Sequence, residues 1–123
     1  MDRGTATGGV SQGRLRVEVR TEGRSAVLAP AGELDHHTAE LLRVPLDEAL
    51  AEGRSRLVLD CTQLEFCDST GLNVLLTARL KAEAAGGGVH LAGMLPVVAR
   101  VLEITGAGAV FTLHETVDAA LGR

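Results

Sequence analysis

Residues 57–80 read LVLDCTQLEFCDSTGLNVLLTARL, and this stretch decides the fold. It opens on Leu57-Val58-Leu59, a short continuous apolar run. Such a run predicts a strand covered on both faces, hence central in a sheet. It closes on Leu72, Leu75, Leu76 and Leu80, which trace one face of a helix that Gly86-Gly87-Gly88 ends. Between them a loop runs through Phe66 and Cys67 to Asp68-Ser69-Thr70-Gly71. Asp, Ser and Thr are all good helix N-caps, so the helix begins there.

Working outward, strands and helices alternate. Leu15, Val17 and Val19 alternate with Arg16, Glu18 and Arg20, the period of a half-buried strand. Thr21-Glu22-Gly23-Arg24 supplies a turn, and Ser25 to Ala31 completes a hairpin. Leu41, Leu42, Leu46, Ala49 and Leu50 then recur at helical spacing down to Gly53. Pro45 interrupts this pattern. A proline in a helix interior costs about 3 kcal/mol, so a kink or restart is expected there. Beyond the glycine run, Val89 to Ala92 reads as a strand. Pro96 opens a helix with Val97, Val98, Val101 and Leu102 as its stripe. Gly106-Ala107-Gly108-Ala109 is a helix stop and tight turn, Val110 to Leu113 a short strand, and Thr116 the cap of a last helix through Leu121. The pattern predicts an α/β domain over residues 15–121, with a mixed sheet and parallel crossovers. Residues 1–14, rich in Gly, Thr, Ala, Ser and Arg, read as a flexible arm with no signal-peptide core.

Composition excludes several function classes. At 123 residues, 46% hydrophobic and 23% charged, the chain is neither disordered nor too small for its own core. Its net charge of −4 and lack of a basic stripe argue against nucleic acid. Phe66 and Phe111 are its only aromatic residues of the Phe, Trp and Tyr set, so no platform stacks bases. No stretch approaches the roughly 20 apolar residues of a membrane helix, and the expected compartment is the cytoplasm. Cys61 and Cys67 lack CxxC spacing. Neither GxGxxG nor GxxxxGK[ST] occurs, so nothing specific implies a nucleotide cofactor.

Three clusters carry candidate chemistry. The first is Asp68-Ser69-Thr70-Gly71. A nucleophile elbow around Ser69 would need glycine at position 67, which is cysteine. An aspartic-protease reading fails because an extra residue separates Asp68 from Gly71. Capping explains one of these polar residues well and three in a row less well. Phosphorylation fits the remainder: a hydroxyl at a helix N-terminus is exposed, and the helix dipole favours negative charge there. A phosphate adds about −1.5 to −2 charge. One like-charge pair at about 4 Å costs roughly 4 kcal/mol at an effective dielectric near 20. After screening, a docked partner would lose tenfold to several hundredfold in affinity. The second cluster is Gly32-Glu33-Leu34-Asp35-His36-His37. It reads as capping or solvated polar groups or a partner contact rather than a metal site, since adjacent residues do not share a helix face. The third is the acidic set Glu33, Asp35, Asp60, Glu65 and Asp68. Parallel neighbouring strands would gather these at their carboxyl ends and favour a basic partner.

These motifs resemble those of the STAS-domain anti-sigma factor antagonists of bacteria. Gly32-Glu33-Leu34-Asp35-His36-His37-Thr38-Ala39-Glu40 is similar to the family segment after the second strand. Phe66-Cys67-Asp68-Ser69-Thr70-Gly71-Leu72 is similar to its phosphorylation loop. Val101-Leu102-Glu103-Ile104-Thr105-Gly106 resembles the helix before its last strand. The resemblance implies a four- to five-stranded mixed sheet with about four helices mainly on one side, and no catalysis, cofactor or metal. It implies a partner that is both anti-sigma factor and serine kinase, and a PP2C-type phosphatase that restores binding. Carried over by position, Ser69 is the phosphoacceptor, and Asp35, Asp68, Ser69, Thr70 and Gly71 form the partner-binding set. Two other readings stand beside it: an unmodified STAS subunit of a sensory or transport complex, and a small hydrolase using Ser69 or Asp68.

Overall fold

The computed structural model describes residues 7–12 and 14–123. In chain order its elements are β1 (Thr7–Gln12), β2 (Leu15–Glu22), β3 (Ser25–Leu34), α1 (Ala39–Ala51), β4 (Arg56–Asp60), β5 (Leu64–Cys67), α2 (Ser69–Ala84), β6 (Gly88–Ala92), α3 (Pro96–Thr105), a 3-10 turn (Ala107–Val110), β7 (Thr112–His114) and α4 (Val117–Ala120). They form one mixed sheet in the order β1-β2-β3-β4-β6-β7, with β5 paired to β3. β1, β2 and β3 run antiparallel, and β3–β4, β3–β5, β4–β6 and β6–β7 are parallel.

The apolar run at the centre explains the layering. Leu57, Val58 and Leu59 are at most 1% exposed. Leu57 and Leu59 face the larger core, which α1, α2 and α3 close with Leu42, Leu46, Leu72, Leu75, Val98 and Leu102. Val58 faces the opposite side, where it meets Val27, Ala92 and Ala120 under α4. Burying one such side chain stabilises the fold by about 1.5–3 kcal/mol. Three helices on one face and one short helix on the other is the layout expected.

Four local expectations are corrected. The arm expected over residues 1–14 contains β1, which pairs from Thr7↔Arg20 to Gln12↔Leu15; residues 1–6 and 13 lie outside the described residues. Backbone pairing needs no apolar alternation, so the Gly8-Gly9 composition hides this strand. Leu64–Cys67, expected as loop, is β5. Its two middle residues, Glu65 and Phe66, are both exposed, so the period of two never shows. These two strands carry the sheet beyond the four or five expected. Helix α1 runs through Pro45 with no restart. The proline removes one hydrogen bond, but Leu42, Leu46 and Ala49 are buried on both sides of it and hold the helix on the sheet. Finally, Val110 closes the 3-10 turn, and the last strand begins at Thr112.

Candidate functional site

The site lies where β3 and β5 end and α1 and α2 begin. At Gly32 the backbone adopts φ +113, and a Cβ there would lie 2.0 Å from the Arg14 carbonyl oxygen. The pairing of β3 with β5 shifts between Gly32 and Glu33. Gly32 N–H donates to Gln63 O at 2.9 Å and Glu33 N–H to Arg14 O at 2.8 Å, so the β1–β2 turn and the start of β5 grip the bend. The chain then folds around Asp35. Its Oδ1 accepts from the amides of His37 (2.9 Å) and Thr38 (3.1 Å). Thr38 Oγ1 accepts from Asp35 N–H at 2.9 Å and donates to Glu33 O at 2.8 Å. The Arg14 guanidinium pairs with Asp35 Oδ2 and lies 3.2 Å from Glu33 Oε1. Burial, the largest influence, pushes the Asp35 carboxyl up. The His37 amide, the Arg14 charge and the two Thr38 bonds together outweigh it and hold the carboxyl below its ordinary value.

A second loop locks onto the first. Asp68 is the N-cap of α2: its Oδ1 accepts from Gly71 N–H at 2.9 Å. Its Oδ2 accepts from His36 N–H at 3.1 Å, with His36 Nδ1 at 3.6 Å. Asp68 N–H donates to Leu34 O at 3.1 Å. Gly71 makes this closeness possible, since a Cβ there would lie 2.6 Å from Leu34 Cγ and 2.9 Å from Leu34 O. The helix start is thus fixed from behind, and Ser69 and Thr70 are exposed on its first turn.

Arg14, Glu33, Asp35, His36, Phe66 and Asp68 line a shallow cleft of about 390 Å³ beside Ser69. The expected residues therefore come together, in two tiers. Ser69 and Thr70 are on the surface and Asp68 is half-buried, whereas Asp35 and Gly71 are buried. Of the acidic set, Glu33, Asp35 and Asp68 share the cleft. Glu65 is exposed on β5, and Asp60 closes a separate turn by accepting from Thr62 N–H and Oγ1. Sequence reasoning missed Arg14, whose partners lie 19 and 21 positions away (33 − 14 and 35 − 14). It also missed His36 as a partner of Asp68, and the exposure of Phe66, which is 44% accessible. His36 Nδ1 stands beside Asp68, whose carboxylate is engaged by the backbone amides of His36 and Gly71.

Residues 16–120 match the family profile described as the STAS domain. An anti-sigma F factor antagonist of Paenibacillus polymyxa is 30% identical over 102 residues, 82% of this chain and 87% of that one. The anti-sigma-F factor antagonist RsfB of Mycobacterium tuberculosis is 32% identical over 108 residues, 87% of each chain. Among solved structures, the anti-sigma factor antagonist SpoIIAA in its unphosphorylated form superposes with a TM-score of 0.76 at 28% identity, covering 87% of this chain and 94% of that one. Its phosphorylated form, from Bacillus, superposes with a TM-score of 0.69 at 27% identity, covering 87% and 97%.

Proposed function

This chain belongs to the STAS-domain family, and on that premise we propose that it is a bacterial, cytoplasmic anti-sigma factor antagonist. It docks through the Ser69 face onto an anti-sigma factor with serine-kinase activity and so frees a sigma factor. Phosphorylation of Ser69 ends the complex, and a PP2C-type phosphatase restores it. The chain itself performs no catalysis. One observation carries this reading: the Ser69 hydroxyl stands exposed on a helix start whose position is set by Asp68 and by the packing of Gly71 on Leu34, not by the hydroxyl. Phosphate can be added there without breaking a bond that holds the fold. Its charge adds about −1.5 to −2 at the docking face and repels an acidic group of the partner seated against Ser69, so it loosens the complex without refolding. Two of the assigned residues act indirectly. Asp35 and Gly71 set the shape of the docking face, while Asp68, Ser69 and Thr70 present it.

The test is binding to the anti-sigma factor kinase encoded in the same genome. Ser69→Ala binds like the wild type and stays bound in the presence of ATP. Ser69→Asp binds at least tenfold more weakly, the lower end of the effect expected from a screened like-charge pair. Equal affinities of the two variants would overturn the mechanism.

A further inference from the structure

On the sheet face covered by α4, far in sequence from the Ser69 loop, two imidazoles meet. His90 Nδ1 and His114 Nε2 are 3.0 Å apart, with ring centroids separated by 5.2 Å. The parallel register explains the meeting. His90 pairs with Thr112 and Ala92 with His114, so the two histidines stand diagonally across β6 and β7 on the face shared by Val58 and Ala92. Both are partly buried. An N···N hydrogen bond between imidazoles needs one N–H donor and one lone pair. The pair therefore holds together with at most one extra proton, and doubly protonated rings have no such bond and repel.

The surroundings do not relieve that repulsion. From β4, Arg56 flanks His90 and is anchored by donating Nε and Nη2 to Ala120 O, at 3.2 and 2.6 Å. Asp60, on the same face of β4, is engaged by Thr62. From α4, Asp118 pairs with Arg123 at the rim. Arg24 from the β2–β3 turn and Glu83 from α2 line the open cavity into which His90 projects. Glu115 follows His114 and is exposed. Among the described residues neither ring is bonded to a carboxylate. Burial, then Arg56, then His114 lower the proton affinity of His90, in keeping with the geometry.

We propose that the His90–His114 pair is a proton-sensitive latch that fastens the C-terminal β7–α4 segment to the sheet and loosens it when both rings are charged. β7 is a three-residue edge strand and α4 a single turn of four residues, and besides the imidazole pair they are held by Ala120 in the second core, by Arg56 on Ala120 O and by the Arg123–Glu22 ion pair. The sign follows from linkage. The open segment binds the second proton more readily than the closed one, so opening is suppressed above the ordinary histidine pKa near 6.5 and increases as pH falls below it. Two unit charges at this separation repel strongly enough, after screening, to exclude the second proton from the closed form. The rise in the opening constant is then on the order of ten- to thirtyfold at about pH 5, the limit set by one proton taken up near pH 6.5.

Hydrogen exchange of the Thr112–Leu121 amides on the full chain, corrected for intrinsic rates, tests this between pH 7.5 and 5. The wild type should show that rise in this segment, while α1 and α2 stay level. His90→Gln and His114→Gln, which cannot take the charge, should show a rise of less than threefold. A flat wild-type profile, or a rise of equal size in both variants, overturns the latch. Should either variant fail to fold, NMR titration of the wild-type imidazoles decides. Two steps that are each sensed by both rings support the latch, and a single independent step on each ring refutes it.

Discussion

Replacing Gly71 by alanine sets two opposing effects against each other at the site. In a free helix, alanine at this position would gain about 1 kcal/mol over glycine. Here the new methyl would lie 2.6 Å from Leu34 Cγ and 2.9 Å from Leu34 O. Leu34 is fully buried, and its carbonyl accepts the Asp68 amide at 3.1 Å, so neither atom can retreat cheaply. Overpacking of this kind costs about 1–3 kcal/mol. Moving α2 away instead strains the Asp68–Leu34 hydrogen bond, worth about 0.5–1.5 kcal/mol. The clash outweighs the helix gain. Gly71→Ala should therefore destabilise the protein by about 1–2 kcal/mol net. With a urea m-value of about 1–3 kcal/mol/M, the midpoint falls by roughly 0.3–2 M. Gly108→Ala is the control: its new Cβ meets Leu102 Cβ only at 3.7 Å and its φ is not in the left-handed region, so stability should hold or rise slightly. Urea unfolding followed by far-UV circular dichroism gives both values. A Gly71→Ala protein as stable as the wild type would refute the close-packing account of this helix start.

Other consequences are simpler to measure. Pro45→Ala restores a hydrogen bond inside α1 at a half-buried position and should stabilise the protein by up to about 3 kcal/mol in the same assay. The Asp35 carboxyl is held below its ordinary value, so its contribution is present above the unfolded pKa near 3.9 and is lost as pH falls through the lower folded value. Asp35→Asn should accordingly show a shallower loss of stability below about pH 4 than the wild type, read from thermal melts across pH. Burial pushes the Cys61 thiol up to about 12 and the Cys67 thiol up to about 11, and the nearby Asp60 and Asp68 charges add to the shift. Both thiols should resist iodoacetamide in the folded protein at pH 8 and react in urea, as mass spectrometry will register.

The sequence made the architecture legible where burial leaves a period. Leu57-Val58-Leu59 showed a strand covered twice, and the structure divides those side chains between two cores. Thr116 read as a cap and accepts from Ala119 N–H at 3.0 Å. Elements held by backbone pairing alone were not legible. β1 is glycine-rich and polar, and β5 exposes two consecutive residues. Pro45 misled in the other direction, because propensity is local and the buried leucines around it are not. At the site, the polar residues of both loops could be singled out, but their division into a buried frame and an exposed face could not. That division depends on contacts such as Arg14–Asp35 and His36–Asp68, which join residues 21 and 32 positions apart and leave no local signature.

The account turns on Ser69 as an exposed and modifiable hydroxyl. The most direct test is the intact mass of the protein isolated from its native cells, with fragmentation to locate any added group. The account predicts a fraction heavier by one phosphate, mapped to Ser69. Phosphate on Thr70 instead, or none in any growth condition, would contradict it.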